Sequence, residues 1–398
     1  MSRRSDHPSP GQPCNGDVLL DLFLYLSEGD LAHTALVCRT WSAPAHMTLY
    51  NTISFDSSSP RATQLAWTLR TRPELRELVC HLIYTSHHHD PEPPDWLALL
   101  PEGSLRTLNW GSDTFIDLPA DVFRLPAVRT VSKLVLHINP SSKAEDIWSA
   151  IQDMMLNPSL HSLSVGPRVA ERVSLPSGLK HFSVFAPAYT EQVKRLVTDP
   201  DTQLERFDAC IGQRDVRALM QDLRRCQTRL KHLTFITGVN HWQYTSLMGE
   251  SLHSFPLLET LVCSSTVCSP DLLLHLPPTV RSLTILARAF ARHRCLDFTR
   301  AVRDCLAKTE RGSSQRRLPE SVAIVEVCMR SWQLARPVTQ DLAHELQRMD
   351  ELADVCMAAG TRLDWVGVKD KEFDYLLPYS FYRPYLVAHQ QIVQTSDN

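Results

Sequence analysis

Two hydrophobic rhythms run along this chain. In the first, Val18, Leu19, Leu22, Phe23 and Leu26 recur at helical spacing, with Asp17 and Asp21 between them. Ser27 to Asp30 (SEGD) breaks the pattern: Gly29 supplies a turn, and Asp30 is placed to cap the next helix. Leu31, Ala35 and Leu36 start a second short helix, which Val37-Cys38-Arg39-Thr40-Trp41 continue. Pro44 is expected to end that run, because proline has no N–H for the next turn. Leu49 and Tyr50 close the unit. About 35 residues with so much apolar surface cannot bury it alone, so the unit should dock, either on the rest of the chain or on another protein. An ordinary helical cap on a larger domain fits the same spacing.

The second rhythm is strand-like. Asn51 to Phe55 (NTISF) favours a strand, and Pro60 opens a helix whose Ala62, Leu65, Ala66 and Leu69 share a face. Pro73 stops it, and Leu75, Leu78 and Val79 read as the next strand. A short alternating phrase then returns: SLRTLNW from Ser104, VSKLVLH from Val131, SLHSLSV from Ser159, GLKHFSV from Gly178, QLERFDA from Gln203, RLKHLTF from Arg229, LLETLVC from Leu257 and TVRSLTI from Thr279. Its anchors are Leu78, Leu108, Leu134, Leu163, Phe182, Phe207, Leu233, Leu261 and Leu283. Their spacing runs from about 19 to about 30 residues, near the leucine-rich repeat range of roughly 20–29. Between the phrases, Trp148–Leu156, Tyr189–Val197 and Val216–Cys226 read as helices. Beyond Ala287 the pattern predicts a basic amphipathic helix over 290–307, a surface loop at Arg311, strands from Ser321 and Leu363, and a long helix over 340–359. Aromatic residues over 375–385 are expected to cover the end of the repeat stack.

The expected fold class is therefore α/β: a small all-α N-terminal unit, then a leucine-rich-repeat-like solenoid with parallel strands lining a concave face. An ordinary α/β domain with alternating strands and helices stays open. Side chains alternate along a strand, so the residues flanking each anchor share the concave face. One column reads Asn109, Val135, Ser164, Ser183, Asp208, Thr234, Val262 and Thr284; the other reads Thr107, Lys133, Ser162, His181, Arg206, His232, Thr260 and Ser282. Such a face is where a solenoid holds a partner, although each residue taken singly also fits a solvated inner face.

Composition narrows the functional classes. At 398 residues, 43% hydrophobic and 21% charged with net charge −3, the chain is globular and carries no field that favours nucleic acid or an anionic membrane. The first 15 residues, rich in Ser and Pro, read as a disordered tail without a secretory core. No run reaches the roughly 18 apolar residues of a membrane span. Eleven cysteines with no CxxC pair point to reduced thiols in an intracellular protein, cytoplasmic or nuclear, and give no zinc spacing. GxSxG, Walker, GxGxxG and HExxH motifs are all missing, and His87-His88-His89-Asp90 beside prolines reads as a solvated loop. No catalytic residue, cofactor or metal is expected.

The order of residues in the first unit resembles an F-box. Asp17, Val18-Leu19, Leu22-Phe23, Leu26, Asp30-Leu31, Val37-Cys38-Arg39, Trp41 and Leu49-Tyr50 stand where that family's pattern has an acid, two aliphatics, an aliphatic-Phe pair, Leu, Asp-Leu, Val-Cys-Arg-x-Trp and a closing Leu-aromatic pair. The family's preceding Leu-Pro is replaced by Cys14-Asn15. The repeats resemble the irregular leucine-rich repeats that follow an F-box, notably in fungal families, although the Asn after the strand is placed only at Asn139. The resemblance implies a substrate-recognition subunit of a Skp–cullin–F-box ubiquitin ligase without its own chemistry. On that reading Val18, Leu19, Leu22, Leu26, Leu31, Val37 and Trp41 contact a Skp-family adaptor, and through it a cullin, while Phe23 and Leu49 pack internally. Asn109, Lys133, His181, Arg206, Asp208, His232 and Thr234 hold a target protein. The alternative is a non-ligase repeat scaffold with the box as a folded cap. The expected domains are a tail over 1–15, the F-box over 16–50, the repeat domain with its cap over 51–386, and a mobile tail over 387–398.

Overall fold

The computed structural model describes residues 16–57, 59–86, 94–112, 120–137, 145–185, 189–237, 248–265, 267–268, 272–288, 301–304, 318–328 and 352–369. The tail, Cys14-Asn15, the His87–Asp90 run, Asn139, the Arg311 loop and the aromatic segment over 375–385 lie outside them, as does most of the expected helices over 290–307 and 340–359. Two compact units divide the chain: residues 1–134 with 140–150, and residues 135–139 with 151–398.

The first unit opens with three helices. Helix α1 spans Gly16–Phe23, α2 spans Glu28–Thr34 and α3 spans Arg39–Asn51. Three local expectations need correction. The second helix does not run on to Trp41: α2 ends at Thr34, and Arg39 starts α3 after a turn. The cap of α2 is Ser27, not Asp30: the Ser27 Oγ accepts the Asp30 N–H at 3.2 Å and donates its own proton to the Asp30 carboxylate at 2.6 Å. Gly29 accordingly sits inside the first turn of α2. Pro44, expected to end a helix, lies within α3 and is buried. It forfeits one backbone hydrogen bond, and α3 continues to Asn51 past it.

Twelve strands alternate with helical segments and follow one another along the sheet in chain order. They are β1 (Thr52–Asp56), β2 (His81–Ser86), β3 (Thr107–Ser112), β4 (Lys133–His137), β5 (Ser162–Val165), β6 (His181–Phe185), β7 (Arg206–Ile211), β8 (His232–Thr237), β9 (Thr260–Ser264), β10 (Ser282–Arg288), β11 (Ser321–Cys328) and β12 (Arg362–Lys369). Their pairing is parallel. This is the α/β repeat architecture that the alternating phrases predict. The expected helices are seen at Glu145–Met155, Glu191–Thr198 and Val216–Leu223.

In the first unit the register aligns Ile53 with Leu82 and Leu82 with Leu108. The anchor of that repeat is thus Leu82. Leu78 precedes the strand, in a turn that closes with the Leu78 N–H on the Leu75 carbonyl. An aromatic stack fills this core: Phe55 lies on Tyr84 at 5.7 Å, Tyr84 against Trp110 at 4.2 Å, and Trp96 and Phe123 pack on its edges. In the second unit, Leu163, Phe182, Phe207, Leu233, Leu261, Leu283, Val322 and Leu363 form one continuous row. All are buried, each stacking on the next repeat.

Candidate functional site

The three-helix unit has a small interior. Leu19, Phe23, Leu31 and Ala45 form its buried apolar cluster, with Ala35, Trp41 and Leu49 packed around them. Phe23 and Trp41 meet edge to face at 6.0 Å. The helical stripe of α1 therefore divides. Leu19 and Phe23 turn inward, while Val18 and Leu22 stay in solvent. Of the seven residues expected to meet an adaptor, Leu19 and Leu31 are only 2% and 4% exposed and serve the interior. Trp41 is half-buried on the same core, and Val18, Leu22, Leu26 and Val37 are exposed.

Sequence reasoning passed over a second exposed apolar set: Leu24, Tyr25, Leu36 and Met47. Leu24 to Leu26 follow the last turn of α1, and Leu36-Val37 occupy the turn between α2 and α3. Helical periodicity says nothing about side chains in turns, so the spacing held no signal for them. The outcome is seven apolar side chains, Val18, Leu22, Leu24, Tyr25, Leu26, Leu36 and Val37, left in water on some twenty residues of chain.

The second candidate site is the sheet face opposite the buried row. On adjacent strands, His181, Arg206 and His232 stand side by side, and Ser183, Asp208 and Thr234 form the next rank. The structure thus brings five of the seven expected target-binding residues together. Asn109, half-buried on β3, and Lys133, exposed at the start of β4, belong to the first unit. The face is less solvated than its polarity implies: Asp208 and Thr234 are buried, as are Val262, Cys210, Ile236 and Leu286 on the same face. Asp208 is held by the Arg206 Nε at 2.8 Å and the Ser183 hydroxyl at 3.0 Å, both on Oδ2. Its Oδ1 is buried without a hydrogen-bond partner. Arg206 keeps 38% of its side chain exposed against 8% for Asp208. Burial, and then the Arg206 charge, hold the imidazoles of His181 and His232 below the ordinary histidine range.

Among the described residues, no group of three or more His, Cys, Asp or Glu is arranged to hold a metal ion. Nor is any helix there long and apolar enough to cross a membrane. Cys263 and Cys268 lie buried with sulfurs 3.4 Å apart.

The architecture is that of a three-helix unit followed by an α/β repeat domain. A family model described as F-box-like matches residues 17–56, which covers α1 to α3 and the first strand. The chain therefore carries an F-box-like domain, the kind of module that binds Skp-type adaptors of ubiquitin ligases.

Proposed function

We propose that this protein is the substrate-recognition subunit of a Skp–cullin–F-box ubiquitin ligase. Its three-helix unit docks on the adaptor, and the polar face of its repeat sheet holds the target. The observation that carries this reading is the coincidence of the F-box-like match with the apolar side chains that α1 to α3 leave in solvent. Val18, Leu22, Leu26 and Val37, joined by Leu24, Tyr25 and Leu36, form the adaptor surface, while Leu19, Leu31 and Trp41 hold it in shape from behind. The chain supplies binding, not bond-making: it raises the effective concentration of a target beside a separate ubiquitin-conjugating enzyme. Such a role places it in the cytoplasm or nucleus.

The test is co-purification of the full chain with a Skp-family adaptor, followed by sizing. A stoichiometric complex supports the reading. A folded chain that ignores the adaptor overturns it in favour of a non-ligase scaffold. Cys14-Asn15, in the place of the family's Leu-Pro, is the observation on the scaffold's side. Restoring Leu-Pro there tightens adaptor binding if docking is real, and does nothing if the box is only a cap.

A further inference from the structure

The row His181, Arg206, His232 has a composition that the rest of the face lacks. From β5 to β10 the first residues of the strands are Ser162, His181, Arg206, His232, Thr260 and Ser282. The row holds no carboxylate, and its three basic groups are consecutive. Adjacent strands lie about 4.8 Å apart, so both imidazoles are within reach of a group bound at the guanidinium. Arg206 is also fixed in advance. Its Nε is committed to Asp208 Oδ2, which Ser183 holds from the neighbouring strand. That is the only bond recorded for the guanidinium among the described residues, and it leaves both Nη groups uncommitted. A guanidinium oriented this way loses little freedom when it takes a second, planar or tetrahedral, oxygen pair.

We propose that this row binds an acidic group, a carboxylate or a phosphate monoester, presented by the target protein, with Arg206 as the fixed charge and His181 and His232 as flanking donors. The inference rests on the reading of this face as the target surface. Asp208 already balances the Arg206 charge, so the surplus positive charge that attracts an anion comes from the imidazoles. Around His181 stand Arg206 and His161, opposed by Glu205 and Asp208. Around His232 stand Arg206 and Lys231, opposed by Glu259 and Asp208. Glu205 is engaged by Lys231 at 3.0 Å. An anion placed between the rings reverses the balance and draws protons onto them. Binding of a carboxylate therefore strengthens as pH falls, by at most about tenfold per pH unit for each proton taken up. A phosphate monoester gains less, because its own second ionisation lies near pH 6 and it loses charge over the same range.

The test uses the full chain with 13C-labelled histidine rings, the signals of His181 and His232 being assigned from H181N and H232N. The probes are the N-acetyl, N-methylamide forms of aspartate, phosphoserine and glutamine, titrated at pH 7.5 and 6.0. The expected result is saturable movement of both ring signals with an acidic probe, none with the glutamine probe, and loss of the effect in R206Q. R206K, which keeps the charge without the fork, weakens binding and guards against a folding artefact in R206Q. In the H181N/H232N double variant, read by fluorescence competition with a dye-labelled acidic probe, binding weakens and its pH dependence disappears. Aspartate is expected to gain several-fold between pH 7.5 and 6.0 and phosphoserine less; tighter binding of aspartate than of phosphoserine at pH 7.5 identifies a carboxylate, and the reverse order of affinity identifies a phosphate. No saturable shift with either acidic probe, equal binding of the glutamine probe, or undiminished binding in R206Q overturns the inference. A chain that binds the adaptor but no acidic probe loses this inference alone, and one that binds the probe but no adaptor loses the ligase reading alone.

Discussion

Truncating Leu36 and Val37 together to Ala separates docking from folding. Both sit in the turn after α2, with 83% and 63% of their surface in solvent, so the interior of the box does not depend on them. Leu→Ala removes three carbons and Val→Ala two, worth roughly 0.8 kcal/mol each when fully buried. Scaled by the fraction of each side chain still available to a partner, the pair contributes about 3 kcal/mol, on the order of a hundredfold in Kd. Leu31→Ala is the contrast. Leu31 belongs to the buried apolar cluster of the box, and its truncation costs about 2–5 kcal/mol of stability. The assay is calorimetric titration of the purified chain with a Skp-family adaptor, with thermal unfolding followed in parallel. The double variant is expected to lose about a hundredfold in affinity at unchanged Tm, and Leu31→Ala to lose stability and binding together. Wild-type affinity in a folded Leu36→Ala/Val37→Ala protein refutes the assignment of this turn to the adaptor.

The remaining predictions concern the caps, the core and the titrating groups. Ser27→Ala removes the cap of α2 and is expected to cost about 1 kcal/mol, read from chemical denaturation, whereas Gly29→Ala inside that helix costs nothing. Trp110→Ala should destabilise by about 3–5 kcal/mol. Trp110→Phe should cost much less, because the buried indole N–H has no partner to lose. R206Q removes a cation beside His181 and His232, so both imidazole pKa values rise in an NMR titration. In the wild-type chain both are depressed by folding. Their contribution to stability is complete above the ordinary histidine pKa of about 6.5 and is lost as pH falls below it, which denaturation between pH 7.5 and 5 measures. Alkylation at pH 8 should label the exposed Cys38 and spare Cys226, whose buried thiol is pushed up to about 11; bound adaptor should protect Cys38, read peptide by peptide in a mass spectrometer.

The repeat architecture was legible because each strand phrase puts its apolar residues on one face and its polar residues on the other. A register slip of one residue would exchange the two faces, so alternation alone fixed the row from Leu163 to Leu283. It failed at the first repeat, where Leu75 and Val79 are buried as deeply as strand residues but lie before β2, Leu75 in a one-turn helix over Pro73–Arg76 and Val79 in the turn after it. Burial follows from apolar character there, and backbone conformation does not. In the box, the family resemblance, and not the helical spacing, set Phe23 and Leu49 inside, and both pack in or on the apolar cluster. Helical spacing could not sort Leu19 from Leu22, since both fall on a stripe wide enough to face either the interior or a partner. Pro44 misled because the usual penalty assumes an exposed helix interior, while here the ring is buried in α3 beside Ala45. The cluster on β6 to β8 was visible as scattered types in two columns. Its convergence needed the register, which places Arg206 between two histidines and over Asp208.

The sequential strand order of the second unit has a mechanical side. Each strand from β6 to β11 is bonded to those that precede and follow it in the chain, so none is threaded behind another. A force applied along the row would open it like a zipper, one edge strand at a time, with the ladder bonds loaded singly and not in shear. A rupture would free the residues from one strand to the next, 19 from Ser162 to His181 and 41 from Ser321 to Arg362, roughly 65 to 140 Å of slack at 3.3–3.6 Å per residue. Single-molecule extension traces of this unit should thus show a train of small steps at low force, the longest from the strands nearest β12. A machine that pulls on one end would meet a series of weak barriers in place of one high one.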